Sequence, residues 1–115
     1  MASGKLASGE LTANTWLPLY TCEEPIKYTS CTVYLVNRSG TDCFVDLAIS
    51  EDDTVLADEY LEFQQVLVGR GTMERTGVVL GNTGQRIMVR SSNSLTSANC
   101  YGIEVIDPAE QGVNP

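Results

Sequence analysis

The chain contains no histidine. That removes the side chain most often used for proton transfer near neutral pH, and with it the Ser-His-Asp and Cys-His nucleophilic arrangements. Basic residues are scarce. Lys5, Lys27, Arg38, Arg70, Arg75, Arg86 and Arg90 stand scattered against 15 acidic residues, for a net charge of −8. Phosphate binding needs a cationic patch, so nucleic acid is not an expected partner. Long apolar runs are missing too, and the longest fall far short of a bilayer crossing, so no membrane partner is expected. Residues 1–6 lack the hydrophobic core of a signal peptide, which makes synthesis in the cytoplasm the expectation. No CxxC pair joins Cys22, Cys31, Cys43 and Cys100, and without histidine no zinc set is complete. There is no GxxxxGK phosphate loop. No enzyme activity, cofactor or metal is expected.

What is present reads as a packed β protein. At 115 residues, with 43% hydrophobic and 19% charged side chains, the chain suits one domain. A chain of this length buries roughly two-thirds of the surface it exposes when unfolded. The most informative stretch is 33–50, which reads as two strands joined by a tight polar turn at 37–42, a hairpin. In its second arm Cys43, Val45, Leu47 and Ile49 face one way, and Phe44, Asp46, Ala48 and Ser50 the other. A lone hairpin cannot bury its apolar face, so further strands are required.

The rest of the chain supplies them. Residues 16–22 read as a strand interrupted by Pro18, which confines it to a sheet edge or a bulge. Residues 28–37 and 42–50 form the hairpin arms. Residues 54–60 suit a helical turn. Residues 61–68 resume as a strand, and 72–80 follow with Gly77 as a bulge candidate. After a turn at 81–84, residues 85–91 alternate with Ile87 and Val89 inward and Met88 and Arg90 outward. A polar loop surrounds Leu95, and residues 100–106 place Tyr101, Ile103 and Val105 on one face. Seven to eight short strands with a turn signal every ten or so residues predict an all-β fold, an antiparallel β-sandwich of jelly-roll or immunoglobulin-like topology. Residues 1–14 read as a flexible arm or edge strand anchored by Leu6 and Leu11, 15–106 as the sandwich, and 107–115 as a tail.

Several groups invite a chemical role and receive a plainer one. The four cysteines read as small buried hydrophobes. A Cys31–Cys43 bridge is disfavoured by counting outward from the turn, and other pairings stay open. The acidic cluster Glu51, Asp52, Asp53, Asp58, Glu59 and Glu62 lacks the spacing of a calcium loop and reads as a solvated face. Trp16, Tyr20, Tyr28, Tyr34 and Tyr101 read as core or interface anchors, with a sugar-binding groove as the alternative.

Ordered segments then add a resemblance. Residues 14–22 (NTWLPLYTC), 36–42 (VNRSGTD), 45–50 (VDLAIS), 58–62 (DEYLE), 74–80 (ERTGVVL), 86–91 (RIMVRS) and 101–104 (YGIE) together resemble a small β-domain of tailed-bacteriophage virion structural proteins. The likeness runs over roughly residues 12–106. Where similar domains carry Pro-Ala-Gly after the first strand, this chain has Cys22-Glu23-Glu24-Pro25. The resemblance implies a non-enzymatic building block of the virion. Its implied form is a capsid decoration (cement) protein on the shell exterior, contacting the major capsid protein or other virion proteins as a homo-oligomer, with a trimer favoured. A tail, baseplate or fibre module and a carbohydrate-binding host-attachment domain are the alternatives. Within this expectation Leu6, Leu11, Trp16, Leu17, Leu19 and Arg70 are the candidate interface residues, since Trp and Arg are favoured anchors.

Overall fold

The computed structural model describes residues 3–81 and 83–106. The tail expected at 107–115 lies outside the described residues. Eight strands form in chain order: β1 (Ser3–Glu10), β2 (Leu17–Thr21), β3 (Ile26–Asn37), β4 (Cys43–Ser50), β5 (Tyr60–Leu67), β6 (Thr72–Leu80), β7 (Arg86–Ser91) and β8 (Thr96–Ile106). The helical turn expected near 54–60 is a single 3-10 turn at Ala57–Glu59. Its start is fixed by the Glu59 carboxylate, which accepts the Leu56 N–H at 2.7 Å.

The strands make two four-stranded antiparallel sheets, ordered β1-β8-β3-β6 and β2-β7-β4-β5. The chain therefore pairs from its ends inward: β1 with β8, β2 with β7, β3 with β6, β4 with β5. A long hairpin wrapped over itself in this way is a jelly roll. Of the two topologies the sequence left open, this is the one adopted.

The hairpin expected at 33–50 does not form. β3 and β4 lie in opposite sheets, and residues 38–42 arch between the layers. Asn37 explains the arch. It is fully buried, and its Nδ2 donates to the carbonyls of Thr41 (2.7 Å), Leu67 (3.0 Å) and Val68 (3.2 Å). Its Oδ1 accepts from the Ser39 N–H, the Ser39 hydroxyl and Asn93 Nδ2. One side chain thus ties the arch to the β5–β6 turn and the β7–β8 loop. A hairpin ladder would leave these buried groups unpaired.

Other local expectations hold. Pro18 sits on the edge strand β2, where register shifts between Pro18 and Tyr20. Gly77 takes φ +71 in a bulge where Thr76 and Gly77 face the single residue Thr32. Residues 3–10 form β1, paired along β8 at the edge of the first sheet.

Alternation fills the space between the sheets. Val33 and Leu35 from β3, Val45 and Leu47 from β4, Ile87 and Val89 from β7, and Val78 and Leu80 from β6 form the core with all four cysteines, which are buried free thiols. Truncating such a side chain to alanine costs about 2–5 kcal/mol. Met88 departs from its expected outward exposure. It points away from this core yet is buried, because the outside of its sheet carries an apolar row. Pro18, Met88, Ala48 and Tyr60 are successive cross-strand neighbours there.

Candidate functional site

The two outer faces differ in chemistry. On the β1-β8-β3-β6 sheet the outward residues of the two central strands are uncharged from Tyr28 onward: Tyr28, Ser30, Thr32, Tyr34 and Val36 on β3, and Ser97, Asn99, Tyr101, Ile103 and Val105 on β8. Lys27 is exposed at the irregularity that opens β3. Tyr101, Ile103 and, across Ser30 from Ile103, Val79 on β6 are about half exposed. Tyr34 and Tyr101 meet edge to face at 5.6 Å over an open depression of about 590 Å³. Charge enters at the flanks, with Lys5 on β1 beside Tyr101 and Glu74 on β6 beside Tyr34, and at Lys27 where β3 begins. A hydrogen bond to Glu74 pushes the Tyr34 hydroxyl upward in pKa.

The outer face of the second sheet is built around an ion pair. Arg90 on β7 and Asp46 on β4 are register partners, and Arg90 Nε donates to Asp46 Oδ2 at 3.0 Å. The guanidinium lies 4.4 Å from the centre of the Trp16 ring. Trp16 contacts Tyr60 at 5.9 Å, and Tyr60 meets Phe63 at 4.9 Å. Asp46 Oδ1 accepts the Gln64 N–H at 2.8 Å. That bond holds a bulge in which Phe63 and Gln64 together face Asp46, and Gln64 takes φ +47. Beside these groups lies a groove of about 380 Å³ lined by Asn14, Phe44, Asp46, Gln64, Arg90 and the 91–92 turn.

The expected interface residues scatter. Leu11 and Leu19 are buried in the chain's own core and are not free to contact a partner. Leu6 and Leu17 are half-buried against that core at the neighbouring β1 and β2 edges. Trp16 lies beneath Arg90. Arg70 is exposed in the β5–β6 turn with φ +59, its N–H donating to the Ser39 carbonyl. The five aromatics considered for one groove do not gather in one place; of them only Tyr34 and Tyr101 pair among the described residues. Tyr20 is buried, its hydroxyl 2.8 Å from Thr29 Oγ1 and donating to Glu104. Burial and that carboxylate push Tyr20 far above the usual tyrosine range. Trp16, just ahead of β2, packs on Arg90 of the β2-β7-β4-β5 sheet, whereas Tyr34 and Tyr101 lie on the other sheet.

Five of the six clustered acidic residues, all but Asp58, are engaged in structure. Asp53 pairs with Arg86 at 2.8 Å and Glu62 with Arg75 at 2.7 Å, while Asp52 Oδ1 accepts the Thr54 N–H. Among the described residues no group of three or more cysteine or acidic side chains is arranged to hold a metal ion. Sequence reasoning missed the Asp46–Arg90–Gln64 groove. Its only visible signal was an aspartate inside an otherwise apolar alternation.

No protein-family model and no curated protein matches the chain. Among solved structures, it is similar to one titled a pentameric capsid protein isolated from metagenomic phage sequences. The two share 13% identity over 95% of this chain and 67% of that one, with a TM-score of 0.40.

Proposed function

We propose that this chain is a non-enzymatic structural protein of a bacteriophage virion, a decoration protein that binds the outer capsid surface and stabilises the shell. The observation that carries the reading is the uncharged outer face of the β1-β8-β3-β6 sheet. At about 4.8 Å per strand and 3.4 Å per residue the two uncharged strands, about nine residues each, cover roughly 300 Å². The face sets exposed Tyr28, Tyr101 and Ile103 among Ser30, Thr32, Ser97 and Asn99, and its area reaches the lower end of the about 300–600 Å² of the largest patches on monomers, which are often functional. In a chain of net charge −8, a face uncharged over residues 28–36 and 97–105 suits contact with another protein. The ordered resemblance over residues 12–106 supports the virion assignment.

The face docks on the major capsid protein, and the β1–β2 edge, with Leu6, Trp16 and Leu17, joins copies of the chain into a trimer. Weak contacts repeated over a closed shell add through multivalency. Co-sedimentation with capsids that lack the protein tests the reading. Binding is expected, with loss of binding in a Tyr101→Ser/Ile103→Lys double variant that keeps its thermal transition. Failure of the unaltered protein to bind, or mass spectrometry that finds it in virion tails alone, refutes the proposal.

A further inference from the structure

The geometry points to a second binding site, for a neutral glycan, in the groove on the outer face of the β2-β7-β4-β5 sheet. This inference does not rest on the virion reading.

Independent features converge there. Of the three non-glycine residues with positive φ among the described residues, two, Asn14 (φ +57) and Gln64 (φ +47), line this groove. Left-handed backbone at a non-glycine residue costs energy, roughly 1–3 kcal/mol in sparsely populated regions, and such outliers cluster at binding sites. Asparagine tolerates this region, but glutamine has no such preference. Each backbone is held by a specific bond, the Asn14 N–H to the Ser91 carbonyl at 2.7 Å and the Gln64 N–H to Asp46 at 2.8 Å. Their side-chain amides are exposed and bond to no other described residue. Each amide offers two donors and one acceptor.

The floor is equally pre-set. The Asp46 side chain is 7% exposed and is fixed by two hydrogen bonds. Arg90 is oriented by Asp46 on one side and by the Trp16 ring on the other, and its two Nη groups bond to no other described residue. Phe44, half exposed, forms one wall.

The chemistry selects the ligand class. Asp46 neutralises Arg90, and the chain as a whole is acidic, so a phosphate or carboxylate ligand gains little. Planar amides and a guanidinium match the vicinal hydroxyls of a sugar, and an aromatic face packs against its C–H face. The volume, about 380 Å³, lies at the small end of ligand pockets and suits one or two rings. The site is therefore read as taking uncharged mono- or disaccharide units.

Trp16 is the single tryptophan, so its emission reports any ligand that engages Arg90. The experiment is a printed array of neutral hexose and N-acetylhexosamine oligosaccharides, followed by titration of Trp16 emission with the brightest free oligosaccharide. Saturable binding is expected. Gln64→Gly should weaken it about tenfold or more, equivalent to about 1.4 kcal/mol, while leaving the thermal transition unchanged or higher. Phe44→Ala should weaken it similarly. A blank array overturns the inference, as does glycan binding that Gln64→Gly leaves unaltered. A protein that binds glycan but not capsids would sustain this site and remove the decoration role.

Discussion

Replacing Asn37 tests whether one amide holds three loops at one end of the sandwich. Asn37→Leu keeps most of the volume and removes every polar bond. The Leu67 carbonyl loses a buried partner, and an orphaned buried acceptor costs about 1–3 kcal/mol. The Thr41 and Val68 carbonyls and the Ser39 N–H and hydroxyl lose part-buried bonds. Water replaces some of these, leaving net losses nearer 0.5 kcal/mol each. The sum is about 3–5 kcal/mol, a large share of the ~5–15 kcal/mol that stabilises an ordinary domain. At this chain length each kcal/mol moves the midpoint by about 4 °C, so Tm should fall by about 12–20 °C. Circular dichroism melts, with urea unfolding as a second measure, read the effect. Asn37→Asp retains the acceptor but not the donors and should do no better. If Asn37→Leu unfolds within about 3 °C of the parent, the arch is held by something other than this amide.

Gly102→Ala should be among the most damaging single changes, because the added Cβ would lie 2.1 Å from the Ser30 carbonyl oxygen and 2.6 Å from Cys31 Cα. A loss of about 3 kcal/mol or more is expected by urea titration, against about 1 kcal/mol for Gly77→Ala, where space is open and only φ is unfavourable. Tyr20→Phe strips a hydroxyl from Thr29 and Glu104 and should cost about 1–3 kcal/mol. Because the folded pKa of Tyr20 lies above its ordinary 10.0, the unfolded chain ionises first, so stability is intact below pH 10 and declines as pH rises past it. The decline should be shallower in Tyr20→Phe when melts are compared across that range. All four thiols are buried, so a disulfide-forming thiol reagent should label none rapidly in the native protein and all four in denaturant. Fast native labelling of one would contradict the packing.

Much of the strand pattern was legible because alternation is local. Val45 and Leu47 on β4, Ile87 and Val89 on β7, and the edge position forced by Pro18 follow from side-chain period and a missing N–H. The arch at 38–42 was not, because a hairpin and a crossing between layers share the same alternation and the same polar turn. The difference lies in carbonyls of Leu67 and Val68, thirty residues away, that bind Asn37. Met88 was misjudged for a related reason. Its cover comes from Pro18, Ala48 and Tyr60 on three other strands, and no window of sequence contains them together. Leu11 and Leu19 read as free anchors because one stands on a polar arm and the other on an edge strand, while the core that buries them comes from strands distant in sequence. The groove was least legible, since nothing in the residues around Gln64 announces a left-handed glutamine. That conformation exists because Asp46 supplies an acceptor from the adjacent strand.

The end-to-inside pairing of the strands has a practical corollary. Ser3 sits opposite Ile103 on the outermost ladder, so the entry and exit of the described chain share one pole of the barrel-like body. Peptides grafted ahead of residue 3 and behind residue 106 would be presented side by side, well separated from the pole where Asn37 knots the loops.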